Sequence, residues 1–396
     1  MKNIILTLIF GFSFIGYAQL TDIEKQTLQL YNDQNWTSLI KIAERAKEQK
    51  VSSYVIEYRL AVAYYNDHNY FDSATEFENI ILKYQTKNDV ILEYLYYSYL
   101  FSGRQQDALL VAKEFPFHLQ EKTDTKKSEF IDYLSAEGGV KLSSRKDIDI
   151  ENLNYLNLGL GQQLGYGVKV QHAFTSISQN YIDFDYSQKE YYGNMKIQLS
   201  KGLTLIPAYH YVNTSEKSSS SHGENNSDLK EIKNNLFHLA LKQQWSRFSI
   251  SPNLIYVTTK DNEYGNLNNF QYGLHAGYSL KSTGDKLWIG TGGDFINSGN
   301  NSDLVWNMKA LYSISPKAYL YLRYLNANTT NFAVEDAMYY FNSVSTIIDN
   351  FSATFTYQFS PKFSWYINYQ YENAKDFEYN ITFNYNTIIT GIKLDL

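Results

Sequence analysis

Hydrophobic and polar positions along this chain change their spacing twice. A polar start carrying Lys2 gives way to an unbroken apolar run from Ile4 to Ile15, closed by the small residues Gly16 and Ala18. Such a run is too short to cross a bilayer as a helix. It predicts a secretory signal over 1–18, cleaved after Ala18. From about Leu20 to Phe115 the apolar spacing is helical, and from about Ser135 to Leu396 it is two, in segments near ten residues parted by polar turns. The expected organisation is therefore a signal peptide at 1–18, helices over 20–115, a linker over 116–134 marked by Pro116 and a polar stretch, and a β domain over 135–396.

The helical part carries an internal repeat. Tyr31-Asn32-Asp33-Gln34-Asn35-Trp36 returns as Tyr65-Asn66-Asp67-His68-Asn69-Tyr70, and a degraded copy begins at Tyr99 and includes Gly103. Ala74 and Ala108 keep the same phase, and an offset of about 34 residues is the period of tetratricopeptide repeats. In that register Tyr31, Tyr65 and Tyr99 close the first helix of each pair. Asn35, Asn69 and Gly103 are expected to take the left-handed turn conformation, and the two alanines let the second helix pack closely. Three helix pairs follow, with a concave face suited to another protein; a mere spacer is the plainer reading.

The second half alternates. Phe270, Tyr272, Leu274, Ala276, Tyr278 and Leu280 face one way while Gln271, Gly273, His275, Gly277 and Ser279 face the other. A soluble sandwich also alternates, so connection lengths decide. Short turns near Gln162-Gln163, Ser200-Lys201-Gly202, Ser246-Arg247, Lys281 to Lys286, Ser315-Pro316-Lys317 and Ser360-Pro361-Lys362 interleave with longer polar connections. The longest of these are Ser215 to Glu231 and Asn328 to Val344. This is the rhythm of an outer-membrane β-barrel, with short periplasmic turns and longer outer loops. It predicts an α + β, two-domain chain: a short tetratricopeptide-like α-solenoid in the periplasm, then an antiparallel transmembrane barrel of about 14 strands, within a span of 12–16. Pro207 and Pro252 fall inside strands, where bulges are expected to accommodate them. Leu396 departs from the aromatic residue with which such barrels usually end.

Charge then refines the picture. The chain has 35 Lys plus Arg against 41 Asp plus Glu, a net −6, which gives no basic footprint for nucleic acid. It has no cysteine, so disulfides, thiolate metal sites and cysteine nucleophiles are excluded. A mean hydropathy of −0.41 argues against a multi-helix membrane protein. Alternation turns Lys141, Lys169, Lys196, Lys242, Lys309 and Arg323 inward with Glu137 and Asp294. The outer connections collect Asp147, Asp149, Glu151, Asp183, Asp185, Glu190, Glu224, Asp228, Asp261, Glu263, Glu335, Asp336, Glu372, Asp376 and Glu378. A basic lumen would favour an anionic solute or polysaccharide; the plainer reading is that inward-folded loop acids neutralise those lysines in a filled barrel. Inward Trp288, Tyr319, Tyr321 and Tyr366 stack on sugar rings or fill space. His210 and His238 are expected inward on adjacent strands, with His275 two strands on, but no third ligand or nucleophile is fixed beside them. No metal, cofactor or catalytic residue is implied.

On the 34-residue period, with an alternating barrel after it, the mature chain resembles the YaiO-type outer-membrane barrel family that carries tetratricopeptide repeats. The order of parts is also similar to bacterial exopolysaccharide exporters. The Tyr17-Ala18-Gln19 junction and the abundance of Tyr and Asn look like envelope proteins of the Bacteroidetes. The resemblance implies an outer-membrane channel or scaffold in contact with membrane lipids, whose repeats dock an envelope protein, in surface-polysaccharide traffic. A closed barrel anchoring the repeats is the alternative, and a lipid- or glycan-modifying enzyme using His210 or His238 is a further one.

Overall fold

The computed structural model describes residues 19–125, 130–145, 152–180, 184–218, 229–262, 265–280, 286–298, 301–342, 345–376 and 380–396. They divide into a helical unit and a β unit. The expected signal peptide lies outside the described residues, as do Asp147, Asp149, Glu151, Asp183, Glu224, Asp228, Glu263 and Glu378.

Seven helices make up the first unit: α1 (19–32), α2 (Trp36–Glu48), α3 (Tyr54–Asn66), α4 (Tyr70–Tyr84), α5 (Asp89–Phe101), α6 (Gln105–Ala112) and α7 (Phe117–Lys122). Serine and asparagine cap α3 and α5: Ser53 accepts from the Ile56 amide and Asn88 from the Ile91 amide. Successive helices pack antiparallel around Leu39, Leu60, Phe77, Ile80, Ile91 and Tyr99, all buried. Ala74 and Ala108 are buried at the close approaches, as their small size requires.

The structure corrects three details of the repeat. The left-handed residues are Gln34, His68 and Gly103; Asn35 and Asn69 come one position later, with φ of −85° and −89°, and cap the following helices. The second interval is one residue longer than the first, so Tyr99 is the counterpart of Tyr64 and not of Tyr65. Tyr64 donates to Glu44 and Tyr99 to Glu78, each bridging to the second helix of the preceding pair. Finally, Pro116 opens α7 and does not mark a linker; the buried Phe115 and Leu119, one turn apart, extend the helical core past the expected boundary.

The second unit is a closed barrel of fourteen antiparallel strands. They are β1 (Ile131–Ser143), β2 (Leu153–Gln163), β3 (Val168–Asn180), β4 (Phe184–Ser200), β5 (Leu203–Ser218), β6 (Leu229–Trp245), β7 (Phe248–Asp261), β8 (Gly265–Ser279), β9 (Leu287–Ser298), β10 (Asn301–Ser315), β11 (Ala318–Thr329), β14 (Thr346–Ser360), β15 (Phe363–Asp376) and β16 (Ile381–Asp395). β12 (Phe332–Val334) and β13 (Tyr339–Phe341) pair only with each other. β1 bonds to both β2 and β16, so no edge remains to be capped. No helix among the described residues is long and apolar enough to cross a membrane.

One face of every strand is apolar and uncovered, as at Leu158, Phe237, Leu274, Phe295 and Ile388. Aromatic pairs straddle the tight turns: Trp245 with Phe248, and Phe359 with Phe363. An outward apolar band with aromatic rims on a sheet without edges is the architecture of outer-membrane barrels, in which hydrocarbon meets the apolar side and every backbone group is paired within the sheet. β4 and β6 run to 17 residues each, beyond the 9–11 or so that a membrane needs, so the connections after β3 and β5 are shorter than expected.

Neither proline produces a bulge. Pro207 keeps its register with Leu239 on β6 and Pro252 with Leu274 on β8, while the pairing toward β4 and β6, respectively, skips two positions and resumes unshifted. Each proline turns its missing N–H toward one neighbour only, so a local gap suffices.

If the outer face meets lipid, Leu274→Arg in the exterior band should lower stability in lipid vesicles by about 2–4 kcal/mol, its value near the midplane. The readout is the denaturant midpoint, and an unchanged midpoint would mean that this face touches water.

Candidate functional site

Directly paired residues on neighbouring strands share a face, so the register identifies the inward set. Lys309 stands opposite Arg323, Tyr192 opposite His210, and Lys169 opposite Lys196. Lys141, Lys242, His238, His275, Asp294, Trp288, Tyr319, Tyr321 and Tyr366 also lie on the inward side. The inward orientation therefore follows the alternation throughout.

The segregation of charge does not. Glu190 lies on β4, Glu372 and Asp376 on β15, Asp185 on β4 and Asp261 on β7, within strands and not in loops. Lys141 pairs with Glu372 at 2.7 Å and Arg145 with Asp376 at 2.6 Å. Lys169 pairs with Asp132, and His275 with Asp294 at 3.1 Å. The lumen is thus a cross-strand lattice of opposite charges, and the expected basic field that would draw anions is largely neutralised.

The remaining acids arrive on a segment that enters the barrel. The connection between β11 and β14 folds inward as the hairpin β12–β13. One face sets Ala333, Ala337 and Tyr340 against Val212, Leu236, Ile255 and Val257 of β5 to β7. The other sets Phe332 and Val334 against Ile296, Val305, Leu325 and Ile347 of β9 to β14. Phe332 and Phe341 stack at 4.7 Å across the hairpin. Polar wall groups complete the fit: Gln271 donates to the Ala333 carbonyl at 2.6 Å and accepts from its amide at 3.0 Å. Asn342 donates to Gln188 and Thr214.

The tip is strained and held. Glu335, Asp336 and Ala337 all have positive φ, between 55° and 64°, which costs about 1–2 kcal/mol per residue with a side chain. Such backbone persists where its surroundings over-determine it. Glu335 lies 3.0 Å from Lys309, accepts from Tyr321 at 3.0 Å and faces Arg323 at 3.9 Å. Tyr192 donates to the Asp336 carbonyl at 3.0 Å. His210 sets Nδ1 2.8 Å from the Ala337 carbonyl and Nε2 3.0 Å from Glu190. His238 faces Asp336 at 3.9 Å.

The two histidines therefore serve the hairpin tip and do not converge on a common point. Among the described residues no group of three or more His, Cys, Asp or Glu could hold a metal ion. Trp288 lies over Gly277 and Gly290, filling space against the wall.

The hairpin is eccentric. Tyr340 is 9% exposed, while Tyr339, paired across the hairpin with Val334, is 41% exposed toward the interior. Inward residues opposite, such as Tyr155, Tyr366, Tyr385, Thr387 and Lys141, also stay partly exposed, whereas Tyr192, His210, Leu236 and Arg323 are buried. Sequence reasoning placed Asn328 to Val344 outside as a polar loop. Its signal was present: the stretch Phe332 to Phe341 is too apolar for a solvated loop and brackets the acidic pair Glu335-Asp336.

The helical unit offers a second surface. Lys47, Glu57, Glu76, Asn79, Leu82 and Lys83 line a shallow groove of about 390 Å³, crossed by Lys47–Glu76 and Lys83–Glu57 ion pairs. The Glu57 hydrogen bond, followed by Tyr84, raises the Lys83 pKa above its ordinary value. Burial pushes the nearby Tyr58 phenol up to about 12.

No family model matches the chain, and no curated protein matches it. Among solved structures it is similar to the CymD monoaromatic hydrocarbon channel, at 10% identity and a TM-score of 0.47 over 70% of this chain and 92% of that one. It is also similar to the P. putida toluene transporter TodX, at 8% identity and a TM-score of 0.46 over 68% and 91%. A Pseudomonas aeruginosa FadL homologue follows, at 9% identity and 0.41 over 67% and 90%. The class of the chain rests on its own strands: a transmembrane β-barrel with a helical-repeat unit before it and a hairpin inside its lumen.

Gln271 satisfies both backbone polar groups of a buried residue. Gln271→Ala should weaken the hairpin's seat by about 1–3 kcal/mol, seen as faster hydrogen exchange over 332–341. Unchanged protection there would contradict this account of the seat.

Proposed function

We propose that the chain is an outer-membrane channel for small solutes, narrowed to one side by the β12–β13 hairpin, with its helical repeats in the periplasm docking an envelope partner. One observation carries this reading: the hairpin seals against β4 to β11 and β14, while Lys141, Tyr155, Tyr366, Tyr385 and Thr387 on β1, β2, β15 and β16 stay partly exposed. A polar, partly exposed strip with both signs of charge suits a hydrated solute better than an apolar one.

Membership of the YaiO-type family and a place in surface-polysaccharide traffic belong to the same proposal. A polymer would require the hairpin to leave, and its release would have to break the Glu335 contacts with Lys309, Tyr321 and Arg323. Catalysis is no part of the reading: His210 holds the Ala337 carbonyl, and His238 faces Asp336 at 3.9 Å. Nor is a cofactor or nucleic acid.

The second reading is a barrel closed by the hairpin that anchors the repeats, favoured by the apolar seal on both hairpin faces. Planar-bilayer recording separates the two. The native chain should conduct weakly, and replacing 330–343 with a short Gly-Ser linker should raise the conductance severalfold. Conductance in the shortened variant alone would favour the closed anchor. Silence in both would remove the channel.

A further inference from the structure

Glu137 differs from the other acids of the lumen. It faces inward on β1, opposite Asn157 on β2 and Gly391 on β16. Glu372, Glu335, Glu190 and Asp294 each meet a basic group. Glu137 meets phenols: Oε1 accepts from Tyr155 Oη and Oε2 from Tyr366 Oη. Its charge is held in place by hydrogen bonds, and no ion pair is formed with it among the described residues.

The setting is tightly built. A Cβ on Gly391 would lie 2.5 Å from Tyr366 Cζ and 2.8 Å from Glu137 Cβ, so only glycine allows ring and carboxylate to meet there. Tyr339, the more exposed of the two hairpin tyrosines, stands within electrostatic reach of the same carboxylate, with the Arg323 guanidinium 5.7 Å from its ring centroid. Two phenols from β2 and β15 thus hold one fixed negative charge, and Tyr339 of β13 stands in its field.

We infer that Glu137 with Tyr155, Tyr339 and Tyr366 forms a binding site for an organic cation of the ammonium type, in the passage proposed above. A carboxylate attracts the charge, and aromatic faces attract an ammonium through their quadrupoles. The same wall already seats two of the chain's own ammonium groups in this way: Lys141 lies 4.0 Å from the Tyr385 centroid and Lys393 4.6 Å from that of Tyr133. An anion would be repelled by Glu137, and a neutral sugar would gain nothing from the charge. The solute class this selects is opposite in sign to the one that the inward lysines imply when counted alone.

The test uses the full-length protein in detergent, titrated with choline and followed by calorimetry, with sucrose and acetate as controls. Saturable choline binding is expected. Glu137→Gln keeps acceptors for both phenols and removes the charge, so it should abolish saturation. Tyr339→Ala, on the hairpin and outside the barrel's strand ladder, should weaken binding about fivefold or less, the worth of one exposed cation–π contact. Absence of saturable binding, equal binding in the Gln variant, or equal binding of acetate would overturn the site. Choline binding by a protein that conducts no current would keep the site and remove the passage.

Discussion

Hydrocarbon offers backbone amides and carbonyls no partner, and everything else in the β unit follows from that. Fourteen strands close so that β1 pairs with both β2 and β16, leaving no unsatisfied edge. Closure turns one face of each strand toward lipid and makes it apolar. It also creates an interior too wide for wall side chains alone to fill, since the lumen of a barrel widens with strand number. The β12–β13 hairpin occupies part of that interior, bringing its own apolar faces to the wall and its own acids to the wall's cations.

This arrangement explains why charge inside the barrel is distributed as it is. A lone ammonium in a low-dielectric interior is costly, and removing one partner of a buried pair costs about 3–5 kcal/mol. Lys141, Lys169, Lys309 and Arg323 are accordingly matched by acids two strands away in the sheet or from the hairpin. The pairing also ties strands together at long sequence separation, and it pins a tip whose three left-handed residues would not hold that shape in water. Wall and hairpin stabilise each other, which makes the strip on the far side the natural route for solvent.

Much of this was legible in the sequence because strand geometry is periodic. A two-residue repeat fixes which side chains point inward, so His210, His238, Lys309 and Arg323 could be assigned before any coordinates, and alternating connection lengths gave the strand number. What failed was reading polarity as location. Glu190 and Glu372 looked like loop residues because they lie near strand ends, yet long strands carry them on the inner face. The hairpin was hidden because its order is tertiary: Phe332, Ala333 and Val334 have no use for a wall until the chain is closed. In the helices, Asn35 and Asn69 suit both a left-handed turn and an N-cap, and only the backbone distinguishes them. The shift from Tyr65 to Tyr64 as the counterpart of Tyr99 needed the Glu44 and Glu78 partners to become visible.

The central claim is that the hairpin seals one side of the lumen and leaves the other wet, and the chain's lack of cysteine makes it directly measurable. Single variants Ala337→Cys and Tyr339→Cys can be exposed to a small water-soluble maleimide in the folded protein. The account requires rapid labelling at 339 and protection at 337 until denaturation. Equal rates at the two positions would contradict it.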